Sequence, residues 1–151
     1  MVRKARGAAL ARPGDQRPLT PGRHLCAVLA VGAARLLTRR PPHDVRRVLT
    51  RLAKGARPAT YDEAAAARAA VLRVSVMCAG DGCLQRSVAI ALLCRVRGAW
   101  PTWRVGVRTM PFRAHAWVEA EGTAVGESTD TTLWRPLITV ESHSWTGGVR
   151  P

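Results

Sequence analysis

Residues 78–93 read Cys78-Ala79-Gly80-Asp81-Gly82-Cys83-Leu84-Gln85-Arg86-Ser87-Val88-Ala89-Ile90-Ala91-Leu92-Leu93. A Gly/Asp turn runs straight into an apolar stretch of helical character, so Cys83 falls at the start of a helix. Gly82 lets the backbone turn tightly at that point. The helix runs to Arg97-Gly98, where Gly98 is a fitting C-terminal stop. Beyond it the pattern changes to alternation. Thr102–Arg108 alternates as a strand does, Pro111 interrupts, and His115–Ala120 alternates again. Glu121-Gly122 turns the chain, and Thr123–Glu127 reads as a short third strand.

Upstream, helices precede the sheet. Thr20-Pro21 opens the first, with Thr as N-cap and Pro at the first helical position. Leu25, Val28, Leu29, Leu36 and Leu37 recur at helical spacing and define its expected inner face, until Arg39-Arg40-Pro41-Pro42 ends it. A second helix covers about 43–54, with Val45, Val48, Leu49 and Leu52 on one face and Gly55 as its stop. Thr60-Tyr61-Asp62-Glu63 is a capping-box pattern. The Ala-rich helix it opens is expected to reach Met77, with Ala70, Val71, Val74 and Met77 turned inward. Helices first and an antiparallel meander afterwards predict an α+β domain, the N-terminal helices packed on one side of a small sheet. The stretch 131–151 adds a helix or a strand, undecided from its pattern.

The chain has 151 residues, which suits a basic, flexible tail over 1–19 and one domain over 20–151. Four Cys show no paired spacing and do not make a disulfide framework at this size. The basic start is broken by Pro13-Gly14-Asp15 before an apolar core forms, so no signal peptide is expected. The apolar runs near 25–37 and 87–94 are too short or too charged to span a bilayer. A cytoplasmic, reducing setting follows, in which a thiol stays a thiol. The net charge is +14. The arginines are scattered rather than gathered in one block, and no nucleic-acid module accompanies them. Nucleic acid and membrane are therefore not expected partners.

Three residues carry chemistry. A thiol is nucleophilic as the thiolate, and a helix N-terminus or a neighbouring imidazolium favours that form. Cys83 has the first and can have the second. Its own backbone N–H is the natural oxyanion donor; a second donor is not identified. His115 is the candidate base and acid. Strand alternation places it on one face with Trp117 and Glu119, opposite Ala114, Ala116 and Val118. Trp117 then shields part of the site, and Gly82 leaves room for a substrate carbonyl. The turn at Glu121-Gly122 brings residues near 127–129 beside 115–117. Glu127 is thus the candidate acid that holds the ring of His115, with Asp130 the fallback if the third strand is shifted. Taken singly, a Cys at a helix start reads as a small buried apolar side chain and a strand His as structural; their order and context give them more. Cys94 and Cys26 read as core, and Cys78 sits at a helix end that disfavours a thiolate. His24, His43 and His143 read as surface. A zinc site is discounted, since Cys94 lies about 16 Å along the helix from Cys83 by helix rise.

The stretch from Cys83-Leu84-Gln85-Arg86-Ser87 through Arg97-Gly98, Val105-Gly106-Val107-Arg108 and Pro111-Phe112-Arg113-Ala114-His115-Ala116-Trp117-Val118-Glu119 to Val125-Gly126-Glu127 resembles a known family. It is similar to the leader peptidase part of the lasso-peptide B protein, of the transglutaminase-like superfamily. Weaker likeness extends to the helices from about residue 21 and to Trp134-Arg135-Pro136-Leu137. The resemblance implies a papain/transglutaminase-like cysteine protease fold and a Cys83, His115, Glu127 triad, with Glu127 where the family usually has Asp. It implies removal of the leader from a ribosomally made precursor, which frees the core N-terminus for a separate ATP-dependent cyclase. It also implies a standalone protease served by a separate precursor-recognition protein. Peptide hydrolysis here needs no metal or organic cofactor. Two other classes remain in play: an acyl transferase using the same thioester, and a non-enzymatic basic binding protein.

Overall fold

The helix that starts at Cys83 is apolar on every side, and a helix of that kind has to be surrounded. In a computed structural model that describes residues 18–128 and 130–143, it is. The order is α1 (Pro21–Leu37), α2 (Pro42–Ala53), β1 (Arg57–Pro58), α3 (Tyr61–Val74), α4 (Val76–Ala79), α5 (Cys83–Val96), β2 (Ala99–Trp100), β3 (Thr102–Thr109), β4 (Phe112–Ala120), β5 (Thr123–Ala124), a 3-10 turn (Thr131–Leu133) and β6 (Arg135–Val140). Helix α5 packs against α1, α3 and β4. Ser87, Val88, Ala89, Ile90, Ala91, Leu93 and Cys94 along it are buried. The main sheet is antiparallel throughout, in the order β5-β4-β3-β6. Strands β1 and β2 form a separate short parallel pair. The fold is α+β, as the sequence predicts.

Local signals place most boundaries. The capping box at α3 is complete: Thr60 accepts from the Glu63 N–H and Glu63 from the Thr60 N–H. Arg57 grips the same carboxylate through two nitrogens, at 2.9 and 2.6 Å. Those bonds hold Glu63 down to about 2, Arg57 being the larger cause and Thr60 the next. Gly55 and Gly98 stop α2 and α5 at φ of 72° and 75°. Glu121 and Gly122 both have positive φ, 52° and 73°, the pairing a two-residue hairpin turn requires. Glu121 also accepts the Tyr61 N–H at 2.9 Å, which fastens that turn to the start of α3.

Three expectations are corrected, and one left undecided is settled. The inner face of α1 is Ala27, Ala30 and Ala34, whereas Leu25, Val28, Leu29 and Leu36 are exposed. Alanines at this face meet the buried Ala64, Ala67 and Ala70 of α3; small side chains set the close approach, and the leucines are left outside. The Ala-rich helix does not reach Met77. Ser75 is extended at φ −141°, ψ 111°, and its side chain starts α4 by accepting the Cys78 N–H. Cys78 is therefore buried and Met77 exposed. The third strand is two residues rather than five. Val125 gives a last bond to the Val118 carbonyl, and Gly126, at φ 64°, turns the chain out of the sheet. The stretch after 131 supplies β6, which crosses to the far side of β3. The tail expected over 1–19 lies almost wholly outside the described residues, as do residues 144–151. No helix among the described residues is long and apolar enough to cross a membrane.

Buried indoles lock the layers together. Trp103 Nε1 donates to Ser87 Oγ at 3.0 Å, and that hydroxyl donates to the Leu84 carbonyl at 3.0 Å. Trp100 Nε1 donates to the Val140 carbonyl at 3.2 Å. The Ser87→Ala variant leaves the Trp103 N–H without a partner inside the core. A loss of about 1–3 kcal/mol in unfolding free energy is expected, measured by urea denaturation. Adding Trp103→Phe removes the orphaned donor, so the double variant should lose less than the sum of the two single changes.

Candidate active site

Cys83 begins α5, and no side chain caps that helix start. Its sulfur meets the open side of β4. It is hydrogen-bonded to the His115 ring and takes the backbone N–H of Ala116. The N–H of Ala116 is free for this because β5 has already ended: its pairing with β4 covers only Glu119 and Ala120. This resolves how a histidine on the outer face of a strand reaches a helix packed on the inner one. The two meet at the strand's edge.

His115 Nε2 lies 2.7 Å from Glu127 Oε2. That leaves Nδ1 as the ring nitrogen for the thiol. The ring is held between two indoles, stacked on Trp117 at 5.8 Å and 13° and tilted against Trp134 at 5.2 Å. Trp117 is fixed in turn. Its Nε1 donates to Glu119 Oε1 at 2.8 Å, and the other oxygen of Glu119 pairs with Arg104 at 3.0 Å. Its ring lies so close over Gly106 that a Cβ there would come within 2.9 Å. Arg108 lies over the Trp134 ring, 5.4 Å from its centre.

The structure thus brings Cys83, His115 and Glu127 together. Asp130 is elsewhere: it caps the 3-10 turn by accepting the Thr132 N–H. Glu119 and Glu121 are committed to Trp117 and Tyr61. Trp117 is buried, so it supports His115 rather than facing a substrate. Gly82 is needed for a different reason from the one expected. A Cβ there would come within 2.6 Å of the Met77 carbonyl oxygen, and its φ is an ordinary −76°. The Cys83 N–H, expected as an oxyanion donor, donates to the Asp81 carbonyl at 2.9 Å. No backbone carbonyl of the described residues takes the N–H groups of Leu84 and Gln85, next in the first turn.

Three contributors were not read from the sequence. Arg86, one turn into α5, donates to the carbonyls of Cys78 at 2.9 Å and Gly80 at 3.1 Å, which pins the loop ahead of Cys83. Arg68 of α3 lies across Gly126, where a Cβ would sit 2.6 Å from the guanidinium carbon. Its charge attracts Glu127, while burial foremost, then Arg86, pulls its own pKa down. Trp134 reaches His115 only because β6 crosses the sheet, and no local pattern signals that.

Electrostatics follow the geometry. The hydrogen bond with His115 is the largest cause lowering the Cys83 thiol, aided by the Ala116 N–H and the charges of His115 and Arg86, against burial. The same bond, then Glu127, raises His115 to about 9. Burial pushes Cys94 up to about 12. The two shifts run in opposite directions, the thiol down and the imidazole up, and both favour the thiolate–imidazolium form of the pair. Among the described residues, no three His, Cys, Asp or Glu side chains gather to hold a metal ion.

A depressed thiol keeps its thiolate as pH falls. Iodoacetamide alkylation of Cys83, followed by peptide mass mapping, should hold its rate at pH values where an ordinary thiol has slowed. The Glu127→Gln variant removes a group that favours the His115 cation, so the His115 pKa falls and the Cys83 pKa rises. At pH 6 its alkylation should be slower than that of the unaltered protein, with the two rates converging above about 9.

The transglutaminase-like superfamily matches residues 27–139. No curated protein and no solved structure matches significantly. The matched span holds α5, β3, β4 and all three clustered side chains, and the chain belongs to the transglutaminase-like superfamily.

Proposed function

We propose that this protein is a cysteine peptidase that removes the leader from a ribosomally made lasso-peptide precursor. The observation that carries the thiol chemistry is the 2.7 Å contact between His115 and Glu127, which leaves the second ring nitrogen to the Cys83 sulfur. The superfamily includes cysteine peptidases and acyltransferases. The choice of precursor rests on the likeness of the Cys83–Glu127 stretch to lasso-peptide B proteins.

In this reading the Cys83 thiolate attacks the scissile carbonyl. The developing oxyanion is met by N–H groups at the start of α5. The His115 imidazolium, steadied by Glu127, gives its proton to the leaving amine, and a thioester remains on Cys83. His115, now neutral, takes a proton from water as the water attacks the thioester. The leader leaves as an acid, and Cys83 and His115 return to their starting state. Glu127 replaces the family's usual Asp and still reaches the ring, so the longer side chain keeps the role. A separate recognition protein presents the leader, and an ATP-dependent cyclase uses the freed amine.

The test is incubation with the precursor peptide and recognition protein encoded beside it, read by mass spectrometry. Cys83→Ala should abolish the cut, and His115→Ala should slow it by about 10²–10⁴-fold. Glu127→Gln should slow it less. A fully active Cys83→Ala protein sinks the proposal. If added amines are incorporated as persistent amides with no hydrolysis, the acyl transferase reading takes its place.

A further inference from the structure

We infer that the open edge of β4 is the docking site for the substrate's main chain. An extended peptide adds beside Phe112–Ala116 as an extra strand, bonded to the outward N–H and C=O of Ala114, and so presents its carbonyl to Cys83. The inference rests on the proposed thiol chemistry at Cys83 and extends it to the class of substrate: an unfolded peptide segment with free backbone amides.

Strand β3 pairs with β4 along its whole length, from Thr109 opposite Phe112 to Thr102 opposite Glu119. On the other side β5 pairs only with Glu119 and Ala120, and the Val125 N–H adds a bond to the Val118 carbonyl. Among the described residues, Phe112–Trp117 therefore have a strand on one side alone.

The direction of the free groups follows from the period of a strand. In an antiparallel ladder a residue's N–H and C=O point to the same side, and alternate residues point to opposite sides. The Val118 carbonyl faces β5, so Ala116 and Ala114 face that side too. Ala116 bears this out, since its N–H reaches Cys83 and not β3. Ala114 is exposed, two residues further along the same edge.

Distances fit. A paired strand lies about 4.8 Å from its neighbour, and two residues advance about 6.6 Å along it. A peptide hydrogen-bonded at Ala114 thus comes level, two residues along, with the sulfur that Ala116 holds. Side chains do not obstruct the approach, because both edge positions are alanine. Phe112, on the edge strand itself, is 74% exposed and offers an apolar surface to the peptide. A bare edge next to a nucleophile is also one that proteins otherwise cover or blunt. Main-chain pairing of this kind gives affinity, while alternate side chains give selectivity.

The test compares two pools of tetrapeptidyl acyloxymethyl ketones with randomised side chains, one with ordinary amides and one with every backbone amide N-methylated. The Cys83 thiolate displaces the acyloxy group from either. Ordinary amides should label Cys83 at least about ten-fold faster, the equivalent of one or two hydrogen bonds. In the Ala114→Pro variant, which removes an outward N–H and no bond to β3, that advantage should vanish. Iodoacetamide, which needs no docked strand, should label the variant as it labels the unaltered protein. The inference is overturned if the two pools label the unaltered protein equally, a comparison that requires no variant to fold. It is also overturned if the advantage survives in Ala114→Pro. If iodoacetamide does not single out Cys83 at neutral pH, the thiol chemistry itself fails, and the docking site with it.

Discussion

The sulfur of Cys83 touches the edge of β4, and the rest of the molecule is arranged around that contact. It takes a helix start and a free strand edge at one point. Helix α5 can end there because the turn before it is drawn back by Arg86 and by the close fit of Gly82 to the Met77 carbonyl. The edge is free because the chain leaves the sheet after Val125, through a left-handed backbone at Gly126. Had β5 continued to Glu127, as alternation alone suggests, it would have taken the Ala116 N–H for the ladder. The same departure carries Glu127 off the sheet and round to the His115 ring. One short strand therefore supplies both the opening for the thiol and the position of the acid.

The legible parts of this fold are those set by neighbours in sequence. The capping box at Thr60–Glu63, the stop at Gly98 and the hairpin at Glu121-Gly122 each depend on a few adjacent residues and read correctly. The hairpin turn also brings the chain after β5 back toward His115, while the last step of Glu127 to the ring comes from the turn out of the sheet at Gly126, which alternation does not signal. Features set by packing did not read. The leucine stripe of α1 looked like a core face, but helix–helix spacing selected its alanines. The break at Ser75 needs a side-chain bond to Cys78 that competes with helix continuation, and propensity does not rank those two outcomes. Trp134 came to His115 through a crossing strand about twenty residues away in sequence, with the whole of β5 and a turn in between.

The excess of arginine also takes on structural meaning. With a net charge of +14, a basic surface seeking an acidic partner is the obvious reading. Yet several guanidinium groups act inside the fold. Arg57 holds the capping box, Arg86 the loop before Cys83, and Arg95 reaches the end of α2 by a 2.7 Å bond to the Leu52 carbonyl. Arg104 braces Glu119 and Arg108 covers Trp134. A planar group with five donors suits carbonyls and indole faces in a way that an ammonium does not. Composition alone counts these as free surface charge; their contacts tie neighbouring elements together even where, as at Arg57, the side chain is half-exposed.

Arg68 shows how such a contact bears on position 127. Its guanidinium lies against the backbone of Gly126, and its Nε is buried without a hydrogen-bond partner. The same guanidinium attracts the Glu127 carboxylate, so it packs beside the 126–127 backbone on the side of the acid. An Asp at 127 is shorter by one methylene and would carry its carboxylate less far toward the same ring nitrogen, 2.7 Å from Glu127 Oε2. The extra methylene of Glu127 spans the gap instead. The reach of Glu127 to His115 and the close packing of Arg68 on Gly126 thus belong to one arrangement at the point where the chain leaves the sheet.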